Sequence, residues 1–263
     1  MPIRVGLLPF LNSVVFYRGT PWPDVDFHPM APRQMAQAIK TGELDAGPLP
    51  VTDVFRLGDS VVPLGNLCVA TRDSSDSVLL FSSVPANSLN RMKIGVTDQS
   101  STSVQLLRLL LSEHWNVTPD AYIGLDSTAE ALLYIGDEAL KRRHGIEGYP
   151  FIYDLAVEWR NYANLPFVFA TWVIRNEIAK QGLETLLPLL ERSLHDMVPL
   201  VPREIKARAD LGMSANQVFE YLSHFTYQVG ATERQGLTKF RYLLDSLPFW
   251  HPPKAPMGLS QHT

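Results

Sequence analysis

Cysteine is almost missing from this chain: Cys68 is the only one, so no disulfide can form within it. It sits in the apolar stretch Asn66-Leu67-Cys68-Val69-Ala70, which reads as a packed thiol rather than a nucleophile. An excess of positive charge is missing too, since 23 Lys and Arg face 27 Asp and Glu for a formal net charge of −4. That balance leaves no electrostatic footprint for nucleic acid, and no nucleic-acid partner is expected. No apolar run approaches the ~20 residues that span a bilayer, so no membrane partner is expected either. The phosphate-binding G-x-x-x-x-G-K-[ST], a G-x-G-x-x-G after the first strand and the nucleophile elbow G-x-S-x-G are all absent. The seven histidines (His28, His114, His144, His195, His224, His251, His262) are scattered without metal-ligand spacing, so neither a metal nor a cofactor is expected. The opening Met1-Pro2-Ile3-Arg4-Val5-Gly6-Leu7-Leu8 lacks a basic n-region, a long apolar stretch and a small-residue cleavage site, which makes a cytoplasmic protein the expectation.

What is present describes an ordinary globular protein: 263 residues, 46% hydrophobic and 19% charged, enough for one large domain or two intertwined lobes. Strand and helix signals alternate, which predicts an α/β fold with mostly parallel sheets. Ile3–Leu8 is the first strand. Ala31-Pro32 opens a helix through Met35, Ala36 and Ile39 that Gly42 stops. The segment 44–50 reads as a short buried strand, and Thr52-Asp53 as the cap of a brief helix through Arg56. Segments 77–82 and 166–174 carry the strongest central-strand signals, and about ninety residues lie between them. Within that stretch the pattern predicts a strand at Met92–Val96, a helix from about Val104 towards Trp115, a helix around Ser127–Tyr134 and a strand at Ile152–Leu155. Beyond Ile174 the chain reads as helical, over Ile178–Met197, Pro202–Asp210, Ala215–Ser223 and Thr232–Leu244, with a Pro-rich tail at 248–256 that is not regular structure. The parse yields two lobes: 1–80 with 175–263, and an inserted 83–165, joined by the two crossing strands. Strand carboxyl ends and helix N-termini would then line a cleft between them.

Small polar groups at turns after apolar strands are the candidates for chemistry. The turn Thr97-Asp98-Gln99-Ser100-Ser101-Thr102-Ser103 feeds a leucine-rich helix, where free N–H groups and the positive end of the dipole favour an anion. Four consecutive hydroxyl residues, Ser100 to Ser103, would supply neutral donors there; simple helix capping is the commoner role of such a turn. Asn12, after the first strand, offers a donor and an acceptor for a hydroxyl or carboxylate, and equally a cap. Ser77 is either a loop serine or a cleft donor. Gly136-Asp137 follows an apolar strand, so Asp137 either faces the cleft or caps the next helix, and Asp154 has the same two readings.

Taken together, Phe10-Leu11-Asn12-Ser13, the run Gly42–Pro48, Ser77–Ser82 with Val84-Pro85, and Ser100–Val104 resemble the chorismate dehydratases of the futalosine route to menaquinone. The same resemblance continues through Ile135-Gly136-Asp137-Glu138-Ala139-Leu140, Tyr153-Asp154-Leu155 with Glu158-Trp159, Leu165–Trp172, and Tyr221-Leu222-Ser223 with Phe225, Tyr227 and Gly230. It implies a two-lobed, type II periplasmic-binding-protein-like (Venus flytrap) α/β fold with two mixed or parallel sheets and an interlobe cleft, used without a cofactor. It implies an enzyme, a carbon–oxygen hydro-lyase that removes water from chorismate as its small-molecule partner to give 3-[(1-carboxyvinyl)oxy]benzoate. On this resemblance Asn12 is the catalytic position, and Pro48, Ser77, Ser100, Ser101, Thr102, Ser103, Gly136 and Asp137 bind substrate. One departure stands out: relatives often carry an arginine where this chain has Ser101. Two other readings share the fold, a cytoplasmic small-carboxylate-binding protein and a 1,4-dihydroxy-6-naphthoate synthase, although no histidine here lies in a segment matching the latter's histidine base. Nothing in the sequence sets an oligomeric state.

Overall fold

The computed structural model describes residues 1–125, 128–197 and 205–250. Its first third holds β1 (Ile3–Leu7), β2 (Val25–Pro29), α1 (Pro32–Thr41), β3 (Ala46–Pro50), α2 (Val51–Leu57) and β4 (Val61–Thr71). The middle third holds β5 (Val78–Ser82), β6 (Lys93–Val96), α3 (Thr102–Leu109), β7 (Ala121–Gly124), β8 (Ala131–Ile135), α4 (Gly136–Arg142), β9 (Phe151–Asp154) and α5 (Leu155–Ala163). The rest contributes β10 (Phe167–Arg175), α6 (Ala179–Gln181), α7 (Leu187–Met197), α8 (Ala215–Ser223), β11 (Phe225–Gln228) and α9 (Ala231–Asp245).

These strands form two mixed sheets. The first has the order β11-β4-β10-β3-β1-β2, and the second β7-β6-β8-β5-β9. In the first, β1 runs parallel to β2 and β3, while β10 lies antiparallel between β3 and β4. In the second, β6 is parallel to β7 and β8, and β5 is antiparallel to β8 and β9. Consecutive strands β4 and β5 thus belong to different sheets, as do β9 and β10, so the chain passes between the sheets at these two places.

Local chemistry explains the best-defined elements. Pro32 suits the first turn of α1, where its missing N–H is not needed, and Gly42 ends the helix at φ +78°, a left-handed cap that glycine takes without a Cβ clash. Met35 and Ile39, four residues apart, lie on the buried face of α1. The helix can approach the sheet because two strand residues below it lack side chains. A Cβ on Gly6 of β1, or on Gly47 of β3, would lie 2.5 Å from Met35 Sδ. Between β1 and β3, Arg4 Nε and Nη2 grip Asp45 at 2.9 and 2.6 Å.

Several expectations are corrected. The segment around Ser127–Tyr134 is not a helix: Ala131–Ile135 is β8, paired on one side with β6 and on the other with β5, and Ser127 lies outside the described residues. A short apolar run with no clear period fits either state, and two flanking strands decide it. The predicted helix Pro202–Asp210 is not found where it is described: Arg208 pairs with Met213 across a bridge and only Ala209–Leu211 forms a 3-10 turn, residues 202–204 lying outside the description. Helix α2 starts at Val51 with Pro50 before it, so Thr52 sits inside the first turn rather than capping it. Helix α3 starts at Thr102, two residues earlier than expected. Of the tail, Trp250 is buried with its Nε1–H on Asp245 Oδ1 at 3.0 Å, and residues 251–256 lie outside the description.

The largest core is centred on α3. Leu106, Leu107, Leu110 and Leu111 share one buried cluster with Trp159 of α5, Phe167 of β10, and Phe240 and Leu244 of α9. Trp159, Phe167 and Phe240 meet edge to face, with ring centroids 4.9–5.7 Å apart. The last helix therefore packs on β10 of the first sheet and on the helices of the second.

Candidate functional site

Between the two sheets lies a small cavity of about 60 Å³, below the roughly 300–1,000 Å³ usual for small-ligand sites. Its walls are largely apolar, with Leu8, Phe10, Pro50, Val69, Ile135, Phe169 and Phe225. Its polar groups are Asn12, Ser13, Ser77, Ser100 and Ser103, and none of the described residues lining it is charged. Five of the nine positions singled out from the sequence therefore meet around one hollow: Asn12, Ser77, Ser100, Ser103 and the backbone of Gly136.

Asn12 stands on the 3-10 turn Leu11–Phe16, which begins four residues after the end of β1 at Leu7. Its Oδ1 accepts from the buried Ser13 hydroxyl at 3.1 Å, which leaves the Nδ2 amide to donate. Ser100 and Ser103 flank the start of α3. Ser100 Oγ accepts from Ser103 N–H at 3.3 Å and donates to Ser103 Oγ at 3.2 Å, so the Ser103 proton is still available to a ligand. The local capping role and the anion role therefore coexist: Ser100 caps, and Ser103 faces the hollow beside the positive end of α3.

Ser77 opens β5. Its Oγ donates to Ser75 O at 3.0 Å and accepts from Tyr221 at 2.9 Å, while Gly136 N–H closes on Ser77 O at 2.7 Å. Gly136 has φ +56°, and a Cβ there would stand 2.8 Å from Phe10 Cδ1, so both its backbone conformation and its neighbour require glycine. Tyr221 is wholly buried, which pushes its pKa well above the ordinary tyrosine value. No sequence signal marked it beyond its place in the Tyr-Leu-Ser run. Ser13, Phe169 and Phe225 likewise carried no signal of their own, only membership in stretches that matched the family.

The other four positions face elsewhere. Ser101 Oγ bonds to Asp53, which in turn pairs with Arg56 at 3.0 Å, and both border a separate, wider opening with Arg33 and Lys40. The side chain at the position where relatives often carry arginine is therefore outside the cavity lining. Thr102 Oγ1 accepts from Thr52 N–H at 3.2 Å and lies 3.1 Å from Thr52 Oγ1, fastening α3 to α2. Asp137 accepts from Leu11 N–H at 2.9 Å and from Arg208 Nη2 at 2.8 Å, which ties α4 to the Asn12 turn. Pro48 is buried within β3 opposite Trp172, and Pro50 lines the cavity in its place. Thus Ser101, Thr102 and Asp137 bridge the two halves of the molecule on either side of the hollow, and Arg33 N–H adds a bond to Gln99 O at 3.2 Å.

Asp154 caps α5 through Ala156 N–H at 2.8 Å, as one of its two readings had it. It also accepts from Ser75 N–H at 2.8 Å, Asp76 N–H at 2.7 Å and Ser75 Oγ–H at 3.0 Å. Burial raises its pKa above the ordinary aspartate value, against the pull of those donors. Among the described residues no group of three or more His, Cys, Asp or Glu is placed to hold a metal ion, and no helix is long and apolar enough to cross a membrane. Cys68 is buried, with its thiol pKa pushed up to about 12 by burial and by the Glu233 charge.

Comparison with known proteins adds to this geometry. The family described as "Menaquinone biosynthesis" matches residues 3–245. A chorismate dehydratase of Thermus thermophilus is 28% identical over 238 residues, covering 83% of this chain and 86% of that protein. A protein of Archaeoglobus fulgidus of known structure superposes with a TM-score of 0.72 at 15% identity, covering 93% of this chain and 97% of its own. The periplasmic aliphatic sulphonate binding protein of Escherichia coli superposes with a TM-score of 0.59 at 17% identity, covering 92% of each chain. The architecture is that of the periplasmic-binding-protein fold, as the sequence resemblance implied.

Proposed function

This chain belongs to the menaquinone biosynthesis family, and from that premise we propose that it is a chorismate dehydratase that converts chorismate to 3-[(1-carboxyvinyl)oxy]benzoate. The observation that carries the reading is the lining of the cavity: neutral hydroxyls and one carboxamide set in an apolar wall, with no charged side chain among the described lining residues. Dehydration of chorismate breaks the ring C3–H and C4–O bonds, forms the C3–C4 double bond and releases the proton and hydroxide as water. Aromatisation drives the step, and the ring carboxylate acidifies the C3 proton. Such a reaction needs orientation and desolvation more than a protein base. In a substrate-assisted scheme the enolpyruvyl carboxylate takes the C3 proton.

In that scheme the Asn12 amide donates to the departing C4 hydroxyl. Ser103, Ser77 and the first N–H groups of α3 hold a carboxylate, in the manner of an oxyanion hole. Phe10, Phe169 and Phe225 exclude water. Ser101, Thr102 and Asp137 contribute differently: they hold shut a cavity between two lobes, 1–80 with 175–263 and 83–165, that part to admit substrate. The 28% identical chorismate dehydratase supports the choice of substrate. The absence of histidine from the described cavity lining weighs against a 1,4-dihydroxy-6-naphthoate synthase with a histidine base.

The test is direct. Purified protein should consume chorismate, read by loss of its ring-diene absorbance and appearance of the aromatic product; an unchanged spectrum at high protein concentration rejects the proposal. A cavity without an acid–base side chain also suits a protein that binds a small carboxylate without converting it. Binding of chorismate without turnover would select that reading.

A further inference from the structure

Ser77 is held from two directions. From its own loop, Asp154 takes the Ser75 N–H and Oγ–H, and Ser75 O in turn accepts the Ser77 hydroxyl. From across the molecule comes Tyr221, on α8, whose hydroxyl is 2.9 Å from Ser77 Oγ although the two residues are 144 apart in sequence. Tyr221 is 3% exposed and packs edge-on to Phe225, ring centroids 5.2 Å apart, so its hydroxyl has a fixed place.

A serine hydroxyl has one proton and two acceptor lone pairs. With the Ser77 proton on Ser75 O, the proton between Tyr221 and Ser77 must be Tyr221's own. Burial keeps that phenol protonated, because the charged form would be stranded in an apolar surround. With its own proton on Ser75 O, Ser77 receives a hydrogen bond from Tyr221. Rotation about its Cβ–Oγ bond can move its proton from Ser75 O into the cavity without breaking that bond. A hydroxyl that accepts a hydrogen bond becomes a stronger donor.

We infer that Tyr221 is a positioning residue: by donating to Ser77 Oγ it makes Ser77 a directed donor to an anionic oxygen of the ligand in the cavity. The inference rests on the reading of this cavity as the ligand site. Its chemistry favours a carboxylate over a ligand hydroxyl that must itself donate.

Tyr221→Phe removes the hydroxyl and keeps the ring. The KM for chorismate should rise about ten-fold, with kcat within about two-fold of wild type, because a ground-state anchor is weakened. Ser77→Ala should raise KM by a similar factor, and the double variant Tyr221→Phe with Ser77→Ala should bind no worse than Ser77→Ala alone. A wild-type KM in Tyr221→Phe, or losses that add in the double variant, overturns the inference. So does a drop in melting temperature and kcat together at unchanged KM, which is the mark of a merely structural role. If the wild-type protein neither binds nor converts chorismate, the proposed activity fails by itself, and the same cycle is read by calorimetry with benzoate. A weaker benzoate affinity in Tyr221→Phe that vanishes in the Ser77→Ala background supports the inference. Unchanged affinity, or no benzoate binding by the wild type, overturns it.

Discussion

Replacing Gly136 by alanine perturbs the fold and the cavity through separate physical terms. At φ +56° an L-residue pays a left-handed penalty of about 1–2 kcal/mol wherever its side chain goes. The new methyl would also stand 2.8 Å from Cδ1 of Phe10, closer than real Cβ atoms come, and a tight 3.0 Å from its Cε1. If Phe10 stays, overpacking adds about 1–3 kcal/mol. If it yields, the ring moves while lining the cavity, and the strain reappears as weaker ligand binding. The expected loss in urea unfolding is therefore about 1–2 kcal/mol with a clearly raised KM, or about 2–5 kcal/mol with a smaller change in KM. Against a total stability of roughly 5–15 kcal/mol either outcome is large. Gly124→Ala is the control, since a Cβ there meets nothing within 4 Å and its φ lies outside the left-handed region. Gly136→Ala with wild-type stability and wild-type KM refutes the reasoning, because neither strain nor displacement would then have occurred.

Asn12→Ala should lower kcat at least ten-fold if the amide assists hydroxide departure, and full turnover removes Asn12 from the chemistry. Asp137→Ala should cost roughly 1–3 kcal/mol in chemical denaturation, since it leaves Leu11 N–H without its acceptor and Arg208 with Asp210 alone. Ser101→Ala should lower kcat/KM only modestly, because it removes one bond that holds the lobes together, to Asp53, but no group that lines the cavity; a large loss would put position 101 into the binding site. Asp45 sets an acid limit. Burial pushes its pKa up, but the hydrogen bonds and charge of Arg4 outweigh this and hold it below the usual aspartate value. A depressed folded pKa contributes stability above the unfolded value of about 3.9, and this is lost as pH falls through the lower folded value. Unfolding free energy should therefore fall more steeply with acid in wild type than in Asp45→Asn; parallel curves contradict the assignment.

Elements with their own punctuation were readable in the sequence, and those defined by neighbours were not. Helix α1 carries Pro32 at its start and Gly42 at its end, and the apolar runs of β5 and β10 are long and dense. Strand β4 carries Pro63 and Gly65 within a run that pairs through irregular register with β10, and its pattern alone did not announce it. The Ala131–Ile135 run fits a helix as well as a strand, because five apolar residues do not distinguish a helix from a strand flanked on both sides. At the site, the sequence located the hydroxyl turn but not the direction of each side chain. Successive residues at a helix start point about 100° apart, so Ser100 and Ser103 can face one hollow only if Ser101 and Thr102 turn to other partners. The apolar walls come from strands and turns far apart in the chain, and no local pattern marks Phe10, Val69, Phe169 and Phe225 as neighbours.

The seating of α1 on the sheet has a consequence for how this sequence can drift. Met35 Sδ occupies the space that a methyl on Gly6 or Gly47 would need, so three positions on three different elements share one volume. A larger residue at either glycine is tolerable only where position 35 has already become shorter. A residue longer than methionine at 35 has no free direction at that junction. Viable descendants should therefore change positions 6, 35 and 47 as a set, with their combined side-chain volume nearly constant.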